Sequence, residues 1–407
     1  MKRPSITAMQ LLALLPEEEL KVYGEETKVD YQVKKLSGQL VFKLLLYGLL
    51  SGKELSWRIL EVLVHSQRFS NWAKLPNDFT TDHSSIAERV SKIEVDYFEK
   101  VFNRVCEVMG ERCAAQEVAS YKLIRYDSTF VSIAASLLKM EGIPGGVNKS
   151  KQKDFHPVAI KFSVGFNGKQ LKNVKMFHTR EHTSDDLSLR ELILEGDWES
   201  KEVAVFDRGL QSRKTFDEFC EQRIKFVTRL RRSSEGKIKH KKIRDITVIE
   251  QGKPVETQTL RIQQDMEVKL YGKTGGKTKN SYRMVVAEMK SDGKPIVFLT
   301  NIIEEISLVD ITEIYRRRWD IEVFFKHIKQ EFGFKHLLSR NENGIKVMLY
   351  MTLIAAMLIF VYRSVNHIEG FKIAKLWFIN DLDQELMRIL FQLCQQNPEL
   401  MDYYTVW

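Results

Sequence analysis

Two short apolar runs in this chain each stop at an aspartate. Leu123-Ile124-Arg125-Tyr126 leads into Asp127, and Val203-Ala204-Val205-Phe206 leads into Asp207. Both runs read as strands, the second short and buried, and Phe130 to Ile133 reads as further extended chain. Around them the rhythm alternates. Val158 to Phe166 and Val174 to Phe177 are strand candidates joined by a turn at Asn167-Gly168. Thr183-Ser184-Asp185-Asp186 caps a helix reaching about Leu194, and a helix over Ser212 to Glu221 precedes a strand over Ile224 to Thr228. The expectation is an α/β core with its two aspartates at strand ends, where α/β sheets usually place their sites. Taken separately, each aspartate also has a plain reading as a turn former or helix cap.

A long helix is expected from Leu308 to about Phe332. Tyr315, Arg318, Glu322 and Lys329 would share one stripe on it, about 60° wide at about 100° per residue. Ile321, Phe324 and Ile328 would lie on the opposite face and bury into a core. A phenol, a guanidinium, a carboxylate and an ammonium in a row suit a solvated face with intrahelical ion pairs. They also suit a metal-assisted phosphodiester site, which needs carboxylates from several elements to hold Mg²⁺ on hard oxygens. Asp127 and Asp207 would supply the others.

Elsewhere the pattern is helical, over residues 1–118 and again from about 346 to Trp407. Val41 to Leu50 and Leu55 to Val64 carry apolar residues at helical spacing, and Glu94 to Met109 continues with an apolar side. Ser85-Ile86-Ala87-Glu88 matches a capping box. Between 231 and 294 the chain reads as short alternating strands with Gly turns. That segment holds 16 Lys and Arg against eight Asp and Glu. Its excess nearly equals the net charge of the whole chain, 63 basic against 54 acidic residues or +9. A basic balance of this kind fits a polyanionic partner, nucleic acid or an acidic membrane surface. The four cysteines include no CxxC pair and imply a reducing compartment rather than a disulfide framework.

Two segments imitate membrane signals. Met1-Lys2-Arg3 precedes an apolar run to Leu15, but Pro16-Glu17-Glu18-Glu19 follows in place of a small-residue cleavage site, so an amphipathic helix is expected. Val347 to Tyr362 is sixteen residues without a charge, short of the roughly 20 a spanning helix wants. A buried core helix and no membrane partner are expected.

The motif Tyr315-x2-Arg318-x3-Glu322-x6-Lys329 resembles the signature of the insertion sequence 4 family of bacterial DDE transposases. Its context, Tyr315-Arg-Arg-Arg-Trp319-Asp-Ile-Glu322-Val-Phe-Phe-Lys326, is similar as well, as are Asp127-Ser128-Thr129 and Asp207-Arg208-Gly209 as first and second acidic motifs. The resemblance covers roughly residues 120–340. It implies an RNase H-like catalytic core at 119–230 and 295–345, interrupted by the basic β-rich insertion 231–294. A helical DNA-binding region at 1–118 and a helical region at 346–407 would flank it. It also implies Asp127, Asp207 and Glu322 as catalytic ligands of Mg²⁺, with Mn²⁺ able to substitute. Tyr315, Arg318 and Lys329 would contact transposon-end DNA, with Arg208, Trp319 and Lys326 beside them.

Asp207 and Glu322 are 115 residues apart, and removal of 231–294 leaves 51, a plausible separation for such a core. Relatives with a base-stacking aromatic in the insertion have no Trp counterpart here, because none lies between Trp198 and Trp319. Tyr271, Tyr282 and Phe298 are the candidates. The expected activity is cut-and-paste transposition on terminal inverted repeats and target DNA, by a homodimer in the cytoplasm at the nucleoid. The alternatives are an RNase H-like nuclease or resolvase without strand transfer, and a DNA-binding protein that has lost catalysis.

Three patterns are weighed against that reading. His178-Thr-Arg-Glu181-His182 fits a zinc-protease motif, yet it reads as a loop, whereas zinc would need both imidazoles on one helix. His182 could instead touch DNA. Gly275-Gly276-Lys277-Thr278 resembles the end of a P-loop, but Tyr271 stands where the first Gly belongs, so no nucleotide cofactor is expected. Lys273, Lys277 and Lys279 could still touch phosphates. Arg229-Leu-Arg231-Arg232, continuing through Lys237, Lys239, Lys241, Lys242 and Arg244, reads as a DNA-backbone track. Arg89 and Lys92, after the capping box, are candidates for reading end sequence.

Overall fold

The computed structural model of the chain describes residues 5–51, 55–112, 117–134, 143–144, 157–168, 170–231, 240–245, 255–271, 277–333 and 338–396. In chain order the first helices are α1 Ala8–Leu12, α2 Glu17–Thr27, α3 Gly38–Leu50, α4 Trp57–Val64, α5 Gln67–Ala73, α6 His83–Lys92 and α7 Val95–Arg112. Strands β1 Glu117–Val118, β2 Tyr121–Ala134, β3 Ile143–Pro144, β4 Pro157–Phe166 and β5 Leu171–Phe177 follow, then α8 Asp185–Leu194, β6 Glu202–Phe206, α9 Arg213–Glu221 and β7 Lys225–Arg229. Next come β8 His240–Asp245, β9 Val255–Glu256, β10 Leu260–Leu270, β11 Tyr282–Met289 and β12 Pro295–Thr300. The last helices are α10 Leu308–Arg316, α11 Trp319–Glu331, α12 Glu342–Val365 and α13 Phe371–Gln396. The described residues divide into two compact units. One is helical, drawn mainly from Met1–Cys113 and Lys326–Trp407; the other, from Ala114–Ser132 and Glu141–Phe325, carries the sheet.

In the helical unit, Ser37 caps α3 by accepting from the Leu40 N–H, and twelve of the thirteen α3 residues are buried. A helix apolar on all sides belongs inside a fold. The same logic places α12, which is long and apolar enough to cross a membrane, yet has 89% of its apolar window buried in the unit. It packs against α3, α6, α7 and α13. Helix α6 starts earlier than the capping pattern predicts. Asp82 is its cap and accepts from the Ser85 N–H at 2.7 Å, which puts Ser85 inside the helix. Arg89 turns inward and donates to the carbonyls of Leu36 at 2.9 Å and Val29 at 2.6 Å, so it braces the chain before α3. Lys92 pairs with Glu88 at 2.6 Å.

The sheet runs in the order β3-β4-β2-β6-β7-β12-β11-β10-β8. Pairs β2–β6 and β6–β7 are parallel, and β12 joins β7 antiparallel. Side chains alternate between faces along a strand. Ile124, Tyr126, Ala204 and Phe206 therefore pack with Leu189, Phe216 and Phe219 of α8 and α9 on one side. Leu123, Val203 and Val205 pack with Ile311 and Ile314 of α10 on the other. Met266, Val268, Tyr282 and Met284 join the first cluster, and Ile262, Val285 and Phe298 the second. The strands within 231–294 thus prolong the same two-faced sheet.

The helix expected from Leu308 to Phe332 is broken. Helix α10 ends on Arg317, and α11 restarts at Trp319. Tight turns carry the chain across, with the Arg318 N–H donating to the Tyr315 carbonyl at 3.0 Å and the Ile321 N–H to the Arg318 carbonyl at 3.2 Å. A stripe computed on one straight helix therefore does not run from Tyr315 through to Lys329.

Candidate active site

Strands β2 and β6 lie in register with Tyr126 opposite Phe206. The next residues are Asp127 and Asp207. Neighbouring strands are about 4.8 Å apart, so the two carboxylates leave the sheet side by side. Strand β6 stops at Phe206, whereas β2 continues to Ala134. Asp127 therefore lies within its strand, at the point where β6 falls away, and not at the strand end that the sequence suggested.

Short turns orient both acids. The Ser128 N–H donates to Asp127 Oδ1 at 2.8 Å, and the Gly209 N–H donates to Asp207 Oδ1 at 2.6 Å. Gly209 has no room for a side chain. A Cβ there would collide with Asp185 Oδ2 and sit 2.7 Å from Asp207 Oδ1. Asp185, at the start of α8, is thus a further carboxylate beside Asp207. Its Oδ1 accepts from Lys161 Nζ at 2.7 Å, and Lys161 is only 1% exposed. The adjacent Asp186 accepts from the N–H groups of Gln211 at 2.5 Å and Ser212 at 2.7 Å, which ties the loop after Asp207 to α8.

Burial pushes the Asp127 carboxyl up to about 7, and the charges of Asp207 and Asp185 push the same way. The Ser128 N–H and Arg318 pull against them. A carboxylate this unfavourable as an anion, beside two more, is a hard-oxygen donor set suited to a divalent cation. Among the described residues, no three His, Cys, Asp or Glu side chains already form a ligand cluster. The third expected acid, Glu322, accepts from Arg318 Nη2 at 2.5 Å, an i,i+4 pair.

Tyr315 and Arg318 come together across the helix break, with the guanidinium 5.6 Å from the ring centre. Arg229 of β7 lies over the same ring at 5.6 Å, and Phe298 meets its edge at 5.5 Å. Burial pushes the Tyr315 phenol up, opposed by Arg318 and Arg229. Arg318 Nε and Arg229 Nε are both buried with no hydrogen-bond partner among the described residues. Two such donors flanking a phenol match the needs of a phosphate oxygen.

Trp319 is 61% exposed, and Arg208 and Lys326 are also exposed. Lys329 is half-buried further along α11. Lys241 and Lys242 fall on β8, whereas Lys237 and Lys239 lie outside the described residues. Arg231 is spent on its own loop, donating to the Arg208 carbonyl at 2.6 Å.

Sequence reasoning did not single out Arg125, Lys161, Asp185 or Asp320 for this neighbourhood. Only the i−2 spacing of Arg125 from Asp127, an arginine inside an apolar strand, was there to signal it. His182 is occupied on both ring nitrogens, by Thr179 Oγ1 at 2.6 Å and Glu191 Oε1 at 2.7 Å, and stacks on Phe177. Lys277 and Thr278 lead from a bridge with Tyr271 into β11, a strand-to-strand connection, while Lys273, Gly275 and Gly276 lie outside the described residues. Of the aromatic candidates, Tyr282 and Phe298 are core residues, and Tyr271 is half-buried.

The mixed α/β fold, with one large sheet and helices at both ends of the chain, is RNase H-like. The fold resembles that of the piggyBac transposase synaptic complex with hairpin DNA, at TM-score 0.50 and 11% identity, over 98% of this chain and 85% of that one. The model of the transposase DDE domain family matches residues 120–358. The chain belongs to the bacterial DDE transposases; it is a DNA transposase. It is similar to the transposase assigned to insertion sequence element IS4SA of Synechocystis sp., 23% identical over 294 residues, 69% of this chain and 71% of that one. A protein named as a transposase in Sinorhizobium fredii is 27% identical over 170 residues, 42% of this chain and 45% of that one. Domains of this family generally use divalent metal ions.

Proposed function

We propose that this transposase binds the terminal inverted repeats of an insertion sequence, hydrolyses the end phosphodiester, and joins the freed 3′-OH to target DNA. The observation that carries the reading is the register of β2 against β6, which sets Asp127 beside Asp207. Arg318 interacts electrostatically with both Asp127 and Glu322, which supports grouping the third acid with the other two. Asp127, Asp207 and Glu322 would hold the metal, Mg²⁺ with Mn²⁺ as substitute. When bound, two such ions supply charge stabilisation at the attacking and leaving oxygens.

The chain's own residues do the rest. Arg318 and Tyr315 orient the transposon-end backbone, and Arg229 Nε adds a donor at the same ring. Lys329, Arg208, Trp319 and Lys326 extend the DNA contact along α11 and the loop after Asp207. Lys237, Lys239, Lys241 and Lys242 give the segment 231–294 a sequence-independent hold on DNA. The five-part division at 118, 230, 294 and 345 assigns end binding to the first part, catalysis to the second and fourth, and pairing of two copies on DNA to the last. A homodimer at the nucleoid in the cytoplasm follows from the need to hold two ends at once.

The test is end cleavage by Asp127→Ala, Asp207→Ala and Glu322→Ala with Mg²⁺ or Mn²⁺. Each variant should bind end DNA and fail to cleave it. Cleavage near the wild-type rate by all three, or full activity in EDTA, would remove the assignment.

A further inference from the structure

Arg125 heads the largest side chains that the described fold buries completely, at 0% exposure. It sits on β2 two residues before Asp127, hence on the same face of the strand. Its guanidinium donates through Nε to the Arg317 carbonyl at 2.8 Å and through Nη1 to the Leu123 carbonyl at 3.1 Å. Nη2 reaches Asp320 Oδ2 at 3.1 Å. Arg317 caps the end of α10, and Asp320 stands in the first turn of α11. One planar group thus grips both sides of the helix break and ties it to the strand that carries Asp127.

The break is not a local preference of the sequence. Leu308 to Phe332 contains no Pro and no Gly and reads as one continuous helix. The last carbonyls of a helix have no partners of their own. Here the Arg317 carbonyl accepts from the Asp320 N–H at 3.2 Å and from the buried Arg125 fork at 2.8 Å, so the fork joins the turn that restarts the helix. A buried guanidinium is costly unless it is fully paired, which gives the joint one satisfied arrangement. Arg318 and Glu322 both follow from that joint, within the next four residues. Glu322 stands in the first turn of α11, so the geometry of the joint sets where its carboxylate stands.

Building on the proposed roles of Asp127 and Glu322, we propose that Arg125 is a positioning residue of the transposition reaction: it clamps the α10–α11 joint and so sets the third acid against the first. Arginine is required because lysine is a point donor and cannot hold the Arg317 carbonyl and Asp320 together.

The test uses full-length protein with Arg125→Lys, Glu322→Gln and the double variant, reading Mn²⁺ affinity, end-DNA affinity and single-turnover cleavage. Arg125→Lys should weaken Mn²⁺ binding about fivefold and slow cleavage about 10²-fold, and, because Arg318 follows from the same joint, it should weaken end-DNA affinity by less than Arg318→Lys does. Adding Arg125→Lys to Glu322→Gln should leave Mn²⁺ affinity where Glu322→Gln alone puts it. Wild-type Mn²⁺ affinity in Arg125→Lys, or equal weakening with and without Glu322, would overturn the clamp. Should Arg125→Lys not fold, Asp320→Asn keeps both carbonyl contacts and should weaken Mn²⁺ in the same direction, and wild-type behaviour there overturns the clamp equally. If Glu322→Gln itself binds Mn²⁺ and cleaves as wild type, the acid assignment fails first and the clamp falls with it.

Discussion

At the scale of single residues, the site is decided by close approach. Gly209 lets the Asp185 and Asp207 carboxylates come near the same point, and any side chain there must move at least one of them. Asp185 is anchored by buried Lys161, so Asp207 is the one that yields. Gly209→Ala should therefore reduce end cleavage by about 10²-fold, because sub-ångström placement governs such steps. End-DNA binding measured on the same preparation should persist, and unchanged cleavage would show that the loop has slack. Arg318 serves two groups, pairing with Glu322 while lying over Tyr315, and keeps a buried Nε to spare. A lysine ammonium can replace only one of these. Arg318→Lys should weaken end-specific complex formation about tenfold at fixed salt. Lys329→Arg should be milder in the same gel-shift assay, since it retains a charge where a point contact suffices.

At the scale of elements, helix ends matter as much as helix faces. Lys375 of α13 is buried and donates to the Glu331 carbonyl at the end of α11, with Phe332 against its ammonium. Burial pulls the Lys375 pKa down to about 8. The unfolded chain then binds this proton more tightly than the folded one. Folding stability should rise with pH from about 8 to the ordinary lysine value of about 10.4. Lys375→Met removes that titration, so its stability relative to wild type should be greatest near pH 7 and decline toward pH 10. Thermal unfolding at both pH values checks this, and a difference independent of pH would contradict it. The same scale shows why 231–294 could be recognised as strands but not placed. Alternation marked the segment as short strands without bounding any of them, and the attachment of β10 and β11 to β12 and so to β7 depends on partners far away in the chain.

At the scale of the whole molecule, the proposed hold on DNA would act through the basic excess and its distribution. The net +9 is concentrated in one segment, on the far side of the sheet order from β4 and β5. Neutralising Lys237, Lys239, Lys241 and Lys242 together should flatten the plot of log affinity against log salt, by about 0.9 for each phosphate that the segment then leaves unneutralised. An unchanged slope in a filter-binding titration would place the DNA track elsewhere. On α6, Arg89 turns inward to backbone carbonyls and Lys92 pairs with Glu88, so the same treatment of that helix should change the slope less.

The sequence by itself determined what depends on neighbours in the chain. The run ending at Asp207, the cap at the start of α8, the helix through Glu221 and the unbroken apolar span of α12 are local patterns, and the structure contains each of them, whereas β2 runs on past Asp127. The motif spacing also sufficed to identify the transposase family. Tertiary structure alone decided what depends on distant partners. Helix α10–α11 breaks at a joint where Arg125 of β2, far away in the chain, donates to the Arg317 carbonyl and pairs with Asp320. Asp185 joins the acidic centre because Lys161 and Gly209, from two other elements, leave it one place to stand. Tyr282 and Phe298 are withdrawn from any role at the surface because the sheet buries them. No periodicity in the chain encodes such contacts, since each pairs residues whose separation in sequence has no fixed relation to their separation in space.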